Sequence, residues 1–476
     1  MQAWSWADRP PSQVTGAAGL APEAGLQNGG GGGRSLLCLA APIRSQVLLN
    51  MVGAAMCYSG ANEVNVDLAT IRNVCRELRD QVDEECLTFS YDDLCGLAVR
   101  DKTEIQLLNK CIRRHPRLRY FECLMRSAPK LRALLAELEL PPTVQCSFLF
   151  EFKASVSELR ELLQRFAVRR LSVMLEEGEA CVDLPKSSLR VLCLRSCDDE
   201  GMKALLTANP KLQALQIMDS RLQRDTVIPQ RLTSLSLTAV SMPDEQFSSV
   251  IAGCLHLRSL YVAKCHISNM VVALPHLELL SITHCRQLTD QCVNELVRPA
   301  SNPRLRYIDL TEDKSLVSPV LTHPGLEIAW LMHCPQLTDQ AVSQMFQGCP
   351  SLTAANLVQS SVEYALISSA NLRTLELTTS QKLSDAAVTH LLEHCPSLTF
   401  LDVGHCCQLV EPRLQHATLD TILLSFCVNL RESAVVGLFE GCPSLRYVEI
   451  AVCMFDMTRF QRECGPGCQV VVNFDF

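Results

Sequence analysis

The chain has 476 residues, 48% of them hydrophobic, 20% charged and only 5% aromatic, with a formal net charge of −8. Such a composition supplies a large aliphatic core, and the acidic balance argues against a general phosphate-binding role, since nucleic-acid binders usually show a concentrated basic face. No apolar run approaches the roughly 20 residues that span a bilayer, and the first residues offer Trp, Asp and Pro where a secretory signal needs a basic start and an apolar stretch. The chain is therefore expected to act in the cytoplasm or nucleus, with no membrane and no nucleic acid among its partners, and its 25 cysteines are expected to be reduced and mainly structural.

In chain order, residues 1–40 are rich in Gly, Ala, Pro and Ser without periodicity and read as a disordered tail. Gly29 to Gly33 lack the following Gly-Lys-Ser/Thr that a phosphate cradle requires. Residues 41–100 read as a helical segment. From Asp67 onward Leu68, Ile71, Val74, Cys75, Leu78 and Val82 fall at helical spacing, and Pro42, Leu48, Leu49, Met51 and Val52 supply an earlier proline and apolar stretch.

The order Asp67-Leu68, then Val74-Cys75-Arg76 and Arg79, resembles the second half of an F-box. The first half departs from that family, with a Gly- and Ala-rich stretch from Gly53 to Asn62 and no acidic residue where one is expected. The resemblance implies a Skp-type adaptor and a cullin as partners, with Leu48, Leu49, Leu68, Val74, Cys75 and Arg76 as adaptor-binding residues. Residues 101–188 follow as degenerate capping repeats, beginning with Glu104 to Leu108 and His115-Pro116-Arg117-Leu118, and including Leu131-Leu134 and Val144-Cys146-Phe148.

From Leu189 one pattern recurs: apolar, two variable, apolar, one variable, apolar, two variable, then Cys or a small residue. It restarts at Leu212, Leu232, Leu257, Leu277, Leu305, Leu326, Leu352, Leu372, Leu398, Leu419 and Leu445. Residues 189–476 therefore form a repeat array with a terminal cap. Within each copy the two close apolar positions give a short strand with one buried face, which only a neighbouring copy can cover. Longer copies continue into a convex helix, as in Leu337-Thr338-Asp339, where Thr338 is an N-cap and Asp339 suits the positive helix start, before Gly348-Cys349-Pro350 ends it. Leu288-Thr289-Asp290 and Leu383-Ser384-Asp385 open in the same way. Copies from Leu352 and Leu398 have room only for a turn or a short helix.

This order is similar to the cysteine-containing subtype of leucine-rich repeats. The fold class is then α/β: a leucine-rich-repeat solenoid with a curved parallel sheet and convex helices, preceded by a small all-α F-box-like segment. Cys197, Cys265, Cys285, Cys334, Cys406, Cys427 and Cys453 hold the first cysteine slot, and Cys254, Cys349, Cys395 and Cys442 the second. Small buried groups are expected there. The pairs His284-Cys285, His333-Cys334 and His405-Cys406 invite zinc, but neighbouring side chains at a turn point apart and these copies are never adjacent. Cys464 and Cys468 lack a second pair. No metal, cofactor or catalytic residue is expected, and no nucleophile-elbow or zincin motif occurs.

The slot between the second and third apolar positions faces outward on the concave sheet. It carries Asp309, Trp330, Asn356, Glu376, Asp402, Leu423 and Glu449, with Tyr307, Phe400, Phe426 and Tyr447 beside them. Tyr307, Asp309, Trp330, Glu376, Phe400, Asp402, Phe426 and Tyr447 are the candidate partner-binding residues. Acidic and aromatic groups together suit a protein substrate with a basic segment. The resemblance implies a substrate receptor of a Skp–cullin–F-box ubiquitin ligase, non-catalytic itself. The alternative is a repeat scaffold with no ligase role, in which Val74 and Cys75 merely pack a capping helix.

Overall fold

A computed structural model describes residues 88–92, 101–113, 118–175, 184–222, 226–271, 273–363, 366–451 and 468–471. All belong to one compact unit, residues 83–476. The tail and the six adaptor-binding residues lie outside the described residues, as do Cys453 and Cys464.

The described residues form one parallel sheet in which every strand pairs with the next in sequence. It opens with β1 (Thr88–Asp92), β2 (Tyr120–Met125), β3 (Gln145–Ala154) and β4 (Ala167–Leu175). Five-residue strands follow: β5 (Val191–Arg195), β6 (Ala214–Met218), β7 (Ser234–Thr238), β8 (Ser259–Ala263) and β9 (Leu279–Thr283). Three-residue strands complete it: β10 (Tyr307–Asp309), β11 (Ile328–Trp330), β12 (Ala354–Asn356), β13 (Thr374–Glu376), β14 (Phe400–Asp402), β15 (Thr421–Leu423), β16 (Tyr447–Glu449) and β17 (Gln469–Val471). Parallel neighbours in chain order, with helices in the returns, make a leucine-rich-repeat solenoid. The sheet starts earlier than expected, because β1 falls inside the interval read as a helical segment. Its Thr-Phe-Ser-Tyr sequence is rich in strand-favouring residue types.

The returns carry α1 (Asp101–Arg113), α2 (Ala128–Glu137), α3 (Val156–Arg165), α4 (Asp199–Ala208), α5 (Asp244–Ala252), α6 (Asp290–Leu296), α7 (Asp339–Gly348), α8 (Asp385–His394) and α9 (Glu432–Gly441). From β5 to β16 a helix fills every second return, so long and short copies alternate. Two strand spacings of about 4.8 Å match one helix diameter of roughly 10 Å, so this alternation keeps the two layers commensurate. Where helices fill successive returns, they pack on each other, α1 on α2 and α2 on α3.

Local sequence explains the capping. Thr289, Thr338 and Ser384 accept the backbone N–H of Cys292, Ala341 and Ala387 at 3.2, 3.3 and 3.3 Å. The aspartate after each cap does more than complement the helix dipole. Asp290 accepts N–H groups from Val317 (3.0 Å) and Ser318 (2.9 Å), Asp339 from Glu363 (2.9 Å), and Asp385 from Val410 (2.9 Å) and Glu411 (2.8 Å). One helical turn later, Asn294, Ser343 and Thr389 accept from Val320, Leu366 and Arg413. A short copy has no helix to satisfy its own return, and the preceding long copy supplies the acceptors.

The core is a ladder. The first leucine of every copy from Leu189 to Leu419 is at most 1% exposed, and each buried leucine contributes about 1.5–3 kcal/mol. After each strand the chain turns through a left-handed residue, from Ser196 to Phe426, none of them glycine. The conformation costs about 1–2 kcal/mol per residue. It aims the turn N–H at the next copy: His284 donates to Thr311 O (3.0 Å), His333 to Val358 O (2.8 Å) and His405 to Ser425 O (2.8 Å).

The residue after this turn is the first cysteine slot. Cys334 Sγ donates to Leu310 O at 3.2 Å, Cys406 to Leu377 O at 3.4 Å and Cys427 to Val403 O at 3.1 Å, each acceptor in the preceding copy. In the second slot, Cys349 and Cys442 reach Leu321 O (3.3 Å) and Leu414 O (3.7 Å). Burial pushes the Cys285 and Cys334 thiols up to about 12, and Cys254, Cys395 and Cys442 up to about 11. These thiols are structural and poorly nucleophilic. The paired histidines go the other way: His284 and His405 are exposed while Cys285 and Cys406 are buried.

Candidate partner-binding surface

The concave column is continuous. Asp309 lies beside Trp330, Trp330 beside Asn356, and the register runs on through Glu376, Asp402 and Leu423 to Glu449. All are partly exposed except Asn356, which is buried at 7% exposure. A second column, two residues earlier on the same face, holds Tyr307, Ile328, Ala354, Thr374, Phe400, Thr421 and Tyr447. With adjacent strands about 4.8 Å apart, the two columns form a plate of side chains whose spacing the sheet fixes.

Tyr307 and Trp330 meet edge to face, centroids 5.2 Å apart at 71°. Asp309 sits against them. One carboxylate oxygen accepts the Ser281 hydroxyl at 3.1 Å and the other the Thr311 N–H at 3.0 Å. Burial, and then the Asp309 charge, raise both the Tyr307 and Tyr261 phenols above their ordinary value. Both stay neutral hydroxyls. Tyr307 and Trp330 thus make an aromatic pair beside one negative charge, an arrangement that suits a cationic side chain.

Farther along, Asn356 Nδ2 donates to Glu376 Oε2. Burial and the Asp402 charge beside it raise the Glu376 carboxyl, as expected for like charges on facing strand positions. Asp402 spends one oxygen on the Gly404 N–H (2.9 Å), and Asn356 its amide oxygen on the Val358 N–H (3.1 Å). The acidic slot therefore has a structural share, in which a short side chain closes the turn two residues on. Glu449 accepts the Ser425 hydroxyl at 2.9 Å.

No known protein-family profile matches the chain. It is 32% identical over 141 residues to the antagonist of mitotic exit network protein 1 of Eremothecium gossypii, an alignment covering 28% of this chain and 31% of that protein. The chain thus matches 31% of that relative's length. A chain from the crystal structure of the Rad7 and Elc1 complex in yeast aligns with 90% of this chain and 92% of its own length, at 15% identity and a TM-score of 0.38.

Of the candidates, Tyr307, Asp309 and Trp330 form one cluster, and Glu376 and Asp402 a second on adjacent strands. Phe400 and Tyr447 share the second column but are two strands apart, on β14 and β16. Phe426 stands outside both columns: as a left-handed turn residue it stacks on His405, centroids 4.3 Å apart at 9°. Tyr261 and Ser281 belong to the concave column too, since Tyr261 pairs with Ser281 and Ser281 with Asp309. Applying the same slot to the copies starting at Leu257 and Leu277 identifies them in the sequence.

Proposed function

We propose that this solenoid is a protein-binding receptor whose concave face takes a basic segment of its partner. The observation that carries the reading is the register-aligned column from Asp309 to Glu449, with the Tyr307–Trp330 pair at its head. Aromatic anchors supply contact area at low entropic cost, and the carboxylates select cationic side chains and speed encounter. The test is titration of the full chain with a Lys- and Arg-rich peptide. Binding is expected, and Trp330→Ala with Asp402→Lys should weaken it by about tenfold or more. Unchanged binding by that variant would sink the proposal.

We further propose, on the order Asp67-Leu68 and Val74-Cys75-Arg76, that residues 41–100 hold a Skp-type adaptor and through it a cullin. The chain would then be the substrate-recognition subunit of a ubiquitin ligase, acting in the cytoplasm or nucleus and performing no chemistry itself. Its contribution is proximity, holding the substrate where other subunits transfer ubiquitin. Co-expression of the full chain with a Skp adaptor is expected to yield a stable complex that Val74→Asp with Arg76→Glu disrupts. Failure of the folded wild-type chain to retain the adaptor would leave a repeat scaffold without a ligase role.

A further inference from the structure

The chain as a whole is acidic, yet one edge of the solenoid gathers basic side chains at a single slot. The residue immediately before the first leucine is Lys211, Arg231, His256, His276 and Arg304 in five successive copies. In the six copies that follow, the same slot holds Gly325, Ser351, Asn371, Ser397, Thr418 and Ser444. The array is thus confined to the leading edge of β6 to β10 and stops where the acidic concave column begins at Asp309.

The sheet turns this spacing into a surface. Backbone bonds tie the flanking positions in series, Gln213 N to Arg190 O (2.8 Å), Thr233 N to Gln213 O (2.8 Å) and Arg258 N to Thr233 O (2.8 Å). Arg190 and Arg258 therefore line up beside the first row. Together they border a groove of about 480 Å³ lined only by Arg, Lys, His, Gln and Thr. The His256 and His276 rings stack, centroids 6.3 Å apart at 8°. Arg190 Nη1 donates to Lys211 O at 3.2 Å, and Arg258 meets the partly exposed Glu278 at 3.5 Å. Among the described residues, Lys211, Arg231 and Arg304 have no ion-pair partner. Cationic side chains gathered along one edge repel one another, an arrangement a bound polyanion relieves.

We propose that this groove docks an acidic, Asp- and Glu-rich segment of a partner protein. Arginine forks grip carboxylates bidentately, and Gln213 and Thr233 add neutral polar groups along the floor. A nucleic acid fits less well. The lining offers no Trp, Tyr or Phe on which bases could stack. The groove is separate from the concave aromatic face and its occupancy does not depend on the concave reading.

The test is fluorescence anisotropy with the full chain and a labelled peptide of about twelve residues, mostly Glu and Asp, against a matched Gln and Asn peptide. The acidic peptide is expected to bind, with affinity falling steeply between about 50 and 300 mM salt. Charge reversal by Lys211→Glu with Arg231→Glu, both at exposed positions, should weaken binding at least about tenfold while the urea midpoint stays unchanged. Lys382→Glu, at an exposed position outside the groove, should leave it within about twofold. The proposal is overturned by equal binding of the reversed variant, by no binding to the folded chain, or by tighter binding of a single-stranded oligonucleotide at the same groove.

Discussion

Asp313 occupies the slot that is Cys285 in the copy before it and Cys334 in the copy after. It is fully buried at 0% exposure. One oxygen accepts the Cys285 N–H at 2.6 Å, and the other has no hydrogen-bond partner. Burial outweighs that bond, and with Asp309 adding to it the carboxyl is pushed up to about 8 from 3.8. The native state therefore binds a proton that the unfolded chain releases above about pH 4. Stability is lost as pH rises from about 4 to about 8 and levels off beyond. At pH 7 some three units separate the two states, worth about 4 kcal/mol at about 1.4 kcal/mol each, and structural relaxation brings the expectation to roughly 2–4 kcal/mol.

Asp313→Asn keeps an acceptor for the Cys285 N–H and removes the titration. Urea unfolding of both proteins at several pH values should show the variant more stable by roughly 2–4 kcal/mol at pH 7, with the gain shrinking toward zero near pH 4. A variant less stable than the parent at pH 7 would refute the reasoning, because it would mean that the carboxylate is ionised and compensated in the fold. An equal gain at both pH values would refute it too, by showing that charge is not the cause.

Three further outcomes follow from the same structure. Asp290→Ala removes two acceptors for the return of the next copy and an acidic group at the start of α6; urea unfolding should show a loss of about 1–3 kcal/mol, and hydrogen exchange should speed up at Val317 and Ser318. In alkylation at pH 8, Cys407, which is partly exposed, should react in the native state while Cys285 and Cys334 react only after urea is added, as mass spectrometry would show. His323, 1% exposed, has one ring nitrogen on Asn302 O at 3.0 Å and accepts the Gly325 N–H at 3.1 Å with the other, and burial lowers its pKa. Protonation is thus easier in the unfolded chain, so stability is retained above about pH 6.5 and falls as pH drops below it. His323→Gln should flatten that acid limb in a urea titration from pH 7 to pH 5.

Local pattern was enough for much of this. The leucine spacing specified which side chains meet in the core, because a period-two strand can bury only one face. It also placed the turn and cysteine slots, the caps at Thr289, Thr338 and Ser384, and the outward column from Asp309 to Glu449. Each of those depends on neighbours within about four residues or on a fixed slot in the repeat.

What the tertiary structure decided depends on stacking one copy against the next. The aspartates at the helix starts looked like dipole partners, and only the stack shows them holding the return of the following copy. Asp313 stands in a cysteine slot of the repeat, and it is the copies on either side that remove its water. Arg190, Lys211, Arg231, Arg258 and Arg304 stand 20 or more residues from one another or at alternate slots, so no local window reads as basic. They become one groove because parallel register sets equivalent slots about 4.8 Å apart, and charge density on a solenoid is a property of that register and not of the chain.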